Sequence, residues 1–219
     1  MSTLKYLRES VAATPLVNIH GVTFHAKDPL PPDIPIGHLK KDILKHIPPK
    51  LFSGVKSVFI GNFEYLQARG AQAISYNGSI FISNQQQSSM EIVDDLAHEL
   101  GHMVEKKYFH NIHSNPTLER EFLQKKNKAS EIISQSGISS AVFKSDSQYD
   151  PELDDLFSNK IGLHNLEKSF SNLVVTPYSL VSLSEYFCEG LEFYLLDDAF
   201  YLQSLCPILY NVIETIIES

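Results

Sequence analysis

The spacing of apolar and polar positions divides the chain into elements of two periods. Leu39, Ile43, Leu44 and Ile47 recur at helical spacing until Pro48-Pro49 ends the run, which predicts a helix. Residues 3–13 predict another short helix, and the Pro29–Pro35 stretch is a stiff connector because each proline restrains its own backbone and its neighbour. From Val55 the period changes. Val-Lys-Ser-Val-Phe-Ile-Gly is rich in β-branched and aromatic residues and predicts a strand. One or two helical turns follow at about 63–69. Ala73–Tyr76 and Ser79–Ser83 flank Asn77-Gly78, a dipeptide that accepts the positive φ values of a tight type I′ turn, so they predict a hairpin. The second strand is short, and it is read as lying at a sheet edge.

Ser88 and Glu91 form a capping box ahead of a long amphipathic helix whose apolar stripe is Ile92, Val93, Leu96, Leu100, Met103 and Val104. Further helices are predicted at about 117–134, 151–159, 165–172 and 183–197, with a shorter one after Pro207. The sum is an α+β chain, mostly helical with a small twisted sheet. No internal repeat or low-complexity tract interrupts it.

Composition narrows the classes of function. A net charge of −8 argues against nucleic acid or an anionic membrane as partner, since both need a basic footprint. Neighbouring lysines such as Lys125, Lys126 and Lys128 read as the solvated face of a helix. Two cysteines, Cys188 and Cys206, make neither a disulfide framework nor a CxxC metal pair. The N-terminus lacks the apolar core of a signal peptide, and no stretch reaches the length of a membrane span. The expectation is a protein in the cytoplasm of the producing cell, or one exported by a specialised secretion route.

Residues 98–102 read His-Glu-Leu-Gly-His. Histidines four apart stand one above the other on a helix face, so their imidazoles can grip one zinc ion from a rigid platform. Glu99 between them is placed to take a proton from a water activated by the metal and pass it to the leaving amine. The catalytic pair is therefore expected on the long amphipathic helix, beside its apolar stripe. A catalytic zinc of this kind needs a third protein ligand and an open position. The metzincin pattern would place Gly at 105 and His at 108; Glu105 and Tyr108 stand there, which excludes that class. His110 and His113 lie past the expected helix end and read as exposed loop histidines. Glu185 and Glu189 share a helix face further on; one can ligate zinc while the other orients a histidine. The same region also fits a plain capping box from Ser182 to Glu185. Asp94 and Asp95 either bond a ligand histidine or favour the positive end of the helix dipole.

His-Glu-Leu-Gly-His, Tyr178, Glu185-Tyr-Phe-Cys-Glu189 and Phe193 together resemble the catalytic domain of the anthrax lethal factor family and the similar clostridial Pro-Pro endopeptidases. That group carries a tyrosine seven residues before a glutamate, which is the spacing of Tyr178 and Glu185. The segment from Phe59 to Gln86 and the late Cys206–Ile213 also look like parts of it. The resemblance covers about residues 55–215 in pieces. It implies a zincin-like fold of gluzincin type with one Zn2+ per chain. Glu185 would be the third ligand, Tyr178 a hydrogen-bond donor to the oxyanion, and Glu189 an outer partner. Ser79, Ile80, Phe81, Ile82 and Ser83 would pair with an extended protein or peptide substrate by strand addition. The interval from His102 to Glu185 is longer than the family's, so a helical insertion at about 109–172 is expected. The catalytic domain would then span 51–219, with residues 1–50 a helical segment that packs on it or regulates it. Cys188 stands where the family has alanine and reads as a small packed residue.

Three functions follow as expectations. The first is a zinc endopeptidase, acting in its own cell or as a bacterial effector or toxin that cuts a host protein. The second is a catalytically silent zinc-binding interaction protein, against which Glu99 speaks. The third is a zinc hydrolase acting on something other than peptides.

Overall fold

A computed structural model describes residues 13–137 and 139–219. The helix expected over residues 3–13 falls, but for Ala13, outside them. Contacts divide the chain into two compact units, one ending at Val104 and one beginning at Glu105. The fold is α+β, with ten α-helices and one five-stranded mixed sheet among the described residues.

The first unit holds the sheet. Its strands are β1 (Thr14–Ile19), β2 (Val22–Ala26), β3 (Ser57–Gly61), β4 (Ala73–Tyr76) and β5 (Ser79–Ser83). Helix α1 spans Ile36–His46 and the single-turn α2 Glu64–Gln67. Helix α3 runs Ser89–Lys107, so the division between the units falls within it. Strand order is β1-β2-β3-β5-β4; β2, β3 and β5 run parallel, and the two outer pairs are antiparallel.

Register explains the core. His25, Phe59 and Phe81 stand opposite one another on β2, β3 and β5, and their rings stack at 4.9 and 5.2 Å between centroids. Phe63 closes this ladder edge-on at 5.5 Å from Phe81. On the other face Phe24, Val58, Ile60, Ile80 and Ile82 are fully buried. The hairpin forms as its turn chemistry requires: Asn77 and Gly78 both take positive φ, 50° and 80°.

Two expectations need correction. Ser79–Ser83 is not an edge strand: β5 pairs with β3 on one side and β4 on the other, and all five residues are buried. The open antiparallel edge beside it is β4. The physical signal was present, because Ile80-Phe81-Ile82 is an unbroken apolar run and an exposed face would break it with polar residues. The region before residue 50 is also not simply helical. Residues 14–26 form a hairpin that extends the same sheet, turning at His20-Gly21 with both residues at positive φ.

The second unit is helical. It contains α4 (Phe109–His113), α5 (Pro116–Gln135), α6 (Pro151–Asp155), α7 (Leu163–Phe170), α8 (Leu183–Leu196), α9 (Ala199–Leu205) and α10 (Pro207–Glu218). A turn of π-helix, Leu156–Ile161, continues α6, and a 3₁₀ turn covers Pro177–Leu180. Helices α8 and α10 meet at Gly190, where an added Cβ would lie 2.4 Å from Leu209 Cδ2. Close backbone approach, not flexibility, requires that glycine. Cys188 and Cys206 are both buried, and no described helix is long and apolar enough to cross a membrane.

Candidate metal centre

Helix α3 begins as its sequence directs. Ser88 Oγ accepts the Glu91 N–H at 3.3 Å, and the Glu91 carboxylate reaches back to the Gln87 N–H at 2.7 Å. Ile92, Val93, Leu96, Ala97 and Leu100 are fully buried and fix the rotation of the helix. That rotation leaves His98 and His102 half-buried on adjacent turns, with ring centroids 5.1 Å apart and planes at 77°. Glu99 is 7% exposed, so it lies at the margin of the core rather than in free solvent. One turn earlier, Asp95 accepts a hydrogen bond from Gln86 Nε2. Burial, and then the neighbouring charge of Asp94, push the Asp95 carboxyl up to about 7. Asp95 also lies close enough to Glu99 and His98 to feel both charges.

The second unit organises the remaining candidates around the start of α8. Ser182 Oγ accepts the Glu185 N–H at 3.0 Å, so the cap is real and sets where Glu185 sits in the first turn. Tyr178 belongs to the preceding 3₁₀ turn, which Thr176 caps through the Ser179 N–H. Burial, and then the charge of Glu185, raise the Tyr178 phenol well above its ordinary range. It is therefore an O–H donor with Glu185 as its strongest charged neighbour. Glu189, one turn along α8, accepts a hydrogen bond from Thr176 Oγ1 at 2.6 Å. Glu185 and Glu189 thus differ in environment although they share a helix face.

Sequence reasoning missed a third carboxylate here. Glu105 is 8% exposed; it accepts from Ser184 Oγ at 2.7 Å and lies 2.6 Å from His113 Nε2. His113 is consequently not a free loop histidine: it sits in α4, paired with Glu105 and stacked on Phe109 at 4.6 Å. The legible hint was Glu105 three residues after His102. His110 is exposed, with Nδ1 3.3 Å from Ser114 Oγ.

Donor atoms of the kinds that hold a metal ion thus belong to His98 and His102 in the first unit. In the second they belong to Glu105, Glu185, Cys188, Glu189 and Glu192. Two imidazoles with carboxylates form a nitrogen-oxygen set suited to zinc. No family model, curated protein or solved structure matches the chain.

Proposed function

We propose that the chain is a zinc-dependent endopeptidase of zincin-like, gluzincin type, with one Zn2+ held by His98, His102 and Glu185. The observation that carries it is the face of α3: two half-buried imidazoles on adjacent turns with a nearly buried glutamate between them. The donor set fits the ion. When bound, zinc lowers the pKa of a water from about 16 to about 7 and polarises the scissile carbonyl.

The residues then have separate tasks. Glu99 accepts a proton from the attacking water and returns it to the amide nitrogen that leaves. Tyr178 donates its O–H to the oxygen on which negative charge develops, and that bond is strongest in the transition state. Glu189, held by Thr176, orients the metal-binding face of α8. An extended segment of a protein substrate adds to the open side of β4 through main-chain hydrogen bonds. The resemblance to lethal factor favours an effector or toxin that cuts a specific host protein.

The test is direct. Metal analysis of the purified chain gives about one zinc per molecule, and its absence removes the proposed centre. Glu99→Gln keeps the zinc and lowers turnover by about 10²–10⁴-fold. Glu185→Ala loses zinc, whereas Tyr178→Phe keeps zinc and slows turnover. Lysates treated with the native chain and with Glu99→Gln are compared for new N-termini. If both treatments give the same set of N-termini while zinc is bound, the silent zinc-binding alternative takes the place of this reading.

A further inference from the structure

The segment from Lys144 to Asp150 has no regular structure, yet it is held at several points. The Asp150 N–H donates to Val181 O at 3.2 Å and the Leu183 N–H to Ser147 O at 3.0 Å. These bonds pair the segment with the short stretch joining Tyr178 to helix α8. Ser147 Oγ donates to Glu119 Oε1 at 2.7 Å, and the nearly buried Lys126 donates to Asp146 O at 3.2 Å. Asp150 is 1% exposed and accepts the Leu153 and Glu152 N–H groups at the start of α6. A loop fixed in this way presents its free side chains in a defined direction.

Tyr149 is the large side chain it presents. The residue is 53% exposed, while its hydroxyl donates to Asp154 Oδ2. Asp154 is in turn supported by Ser158 Oγ at 2.9 Å. The backbone bonds at Ser147 and Asp150, on either side of it, set Tyr149 beside the stretch that leads from Tyr178 to Glu185. Burial first, and the Glu185 carboxylate in addition, raise both phenols. An aromatic ring left open to solvent at a rigid position contributes little to a core. A phenol that donates to a carboxylate has an electron-rich face, and that face with an adjacent carboxylate attracts a cation carried on an apolar stem.

We infer that Tyr149 and Asp154 determine substrate specificity by receiving a lysine or arginine side chain close to the scissile bond. This rests on the endopeptidase reading and deepens it. The recognition comes from the region between His102 and Glu185, where the resemblance to known peptidases is interrupted. The ring of Tyr149 lies along the stem of the substrate side chain, and Asp154 faces its charged head. The hydrogen bond between them keeps both in place before substrate arrives.

The experiment uses the full chain loaded with zinc and a randomised peptide mixture carrying lysine, arginine, norleucine or citrulline. Cleavage products are read by mass spectrometry. The native chain prefers the cationic residues over their neutral analogues at one position. Tyr149→Ala raises KM for the cationic peptides about tenfold with kcat nearly unchanged. Asp154→Asn narrows the lysine-over-norleucine preference by a similar factor, and Tyr149→Phe, which keeps the ring, loses less than Tyr149→Ala. Circular dichroism confirms that each variant is folded. If the native chain cleaves but its preference is the same in Tyr149→Ala and Asp154→Asn, this inference is wrong and the peptidase reading stands. If the native chain produces no cleavage at all, the peptidase reading fails and this inference goes with it.

Discussion

The two units are stabilised internally by different means. In the first, a continuous backbone ladder places side chains, and the His25–Phe59–Phe81 stack follows from register alone. In the second, long polar side chains reach across irregular segments to backbone atoms. Lys125 Nζ donates to Leu173 O and Leu205 O, both at 2.8 Å. Glu121 accepts the Ile208 and Leu209 N–H groups at 2.9 and 3.0 Å, together with the hydroxyl of the fully buried Tyr186. A ladder satisfies its own polar groups as it forms. Helices joined by irregular chain leave backbone groups open, and side chains must answer them. Helix α3 begins in the ladder-built unit, whereas the segment that carries Tyr149 is held by such a pin, Lys126 Nζ to Asp146 O.

The largest expected effect tests the ladder. Phe81→Ala removes the ring shared by two aromatic contacts and costs about 3–5 kcal/mol. Denaturant unfolding measures that loss, and hydrogen exchange locates it in β3, β4 and β5. Equal loss of protection in α8 and α10 under mild conditions would break the distinction between the units.

A smaller effect tests the pins. Glu121→Ala leaves two amides at the start of α10 and the Tyr186 hydroxyl without their acceptor, at a cost of about 1.5–3 kcal/mol. Faster exchange at Ile208 and Leu209, with β3 and β5 unchanged, is the expected pattern. Unchanged rates at those two amides would mean that packing alone holds α10.

The smallest effect is in pH. Burial raises the Asp150 carboxyl, but the hydrogen bond from Lys144 and the N–H groups of Leu153 and Glu152 outweigh it, so the net shift is downward. A carboxyl depressed in the folded state stabilises fully above the ordinary value near 3.9 and loses that contribution as pH falls through its folded value. Asp150→Asn therefore flattens the acid side of the stability profile below about pH 4. Asp28, in the ladder-built unit, is also depressed, first by the Asn62 N–H and then by Lys27, but it is more exposed and screened. Asp28→Asn changes the same slope less. An equal change from both variants would remove the contrast.

These differences account for what was readable beforehand. The helix over 89–107, the strand at 57–61 and the Asn77-Gly78 hairpin are short-range patterns, and each formed where periodicity and turn chemistry placed it. The hairpin at 14–26 escaped because Pro15 and a bulge between Pro15 and Val17 disturb its alternation. Its one local signal was His20-Gly21, with Asn18 Oδ1 accepting the Gly21 N–H at 3.2 Å. The Glu105–His113 pair and the tether of Tyr149 had almost no local signature, because their partners are set by how the chain folds back.

By itself the sequence determined the elements whose cause lies within a few residues. It also determined that His98 and His102 stand together on one face of their helix, since four-residue spacing fixes which side chains share a face. Tertiary structure decided which strand lies at the edge. Ser79–Ser83 and Ala73–Tyr76 are one hairpin in either case, and only pairing with β3, which requires the chain to return from α2, makes β5 interior and leaves β4 open. It also decided the settings of Glu105, Tyr149 and Glu189, whose partners Ser184, Asp154 and Thr176 are supplied by loop and helix ends brought together by folding. A local pattern is a property of the chain, whereas a pairing partner is a property of the packed state.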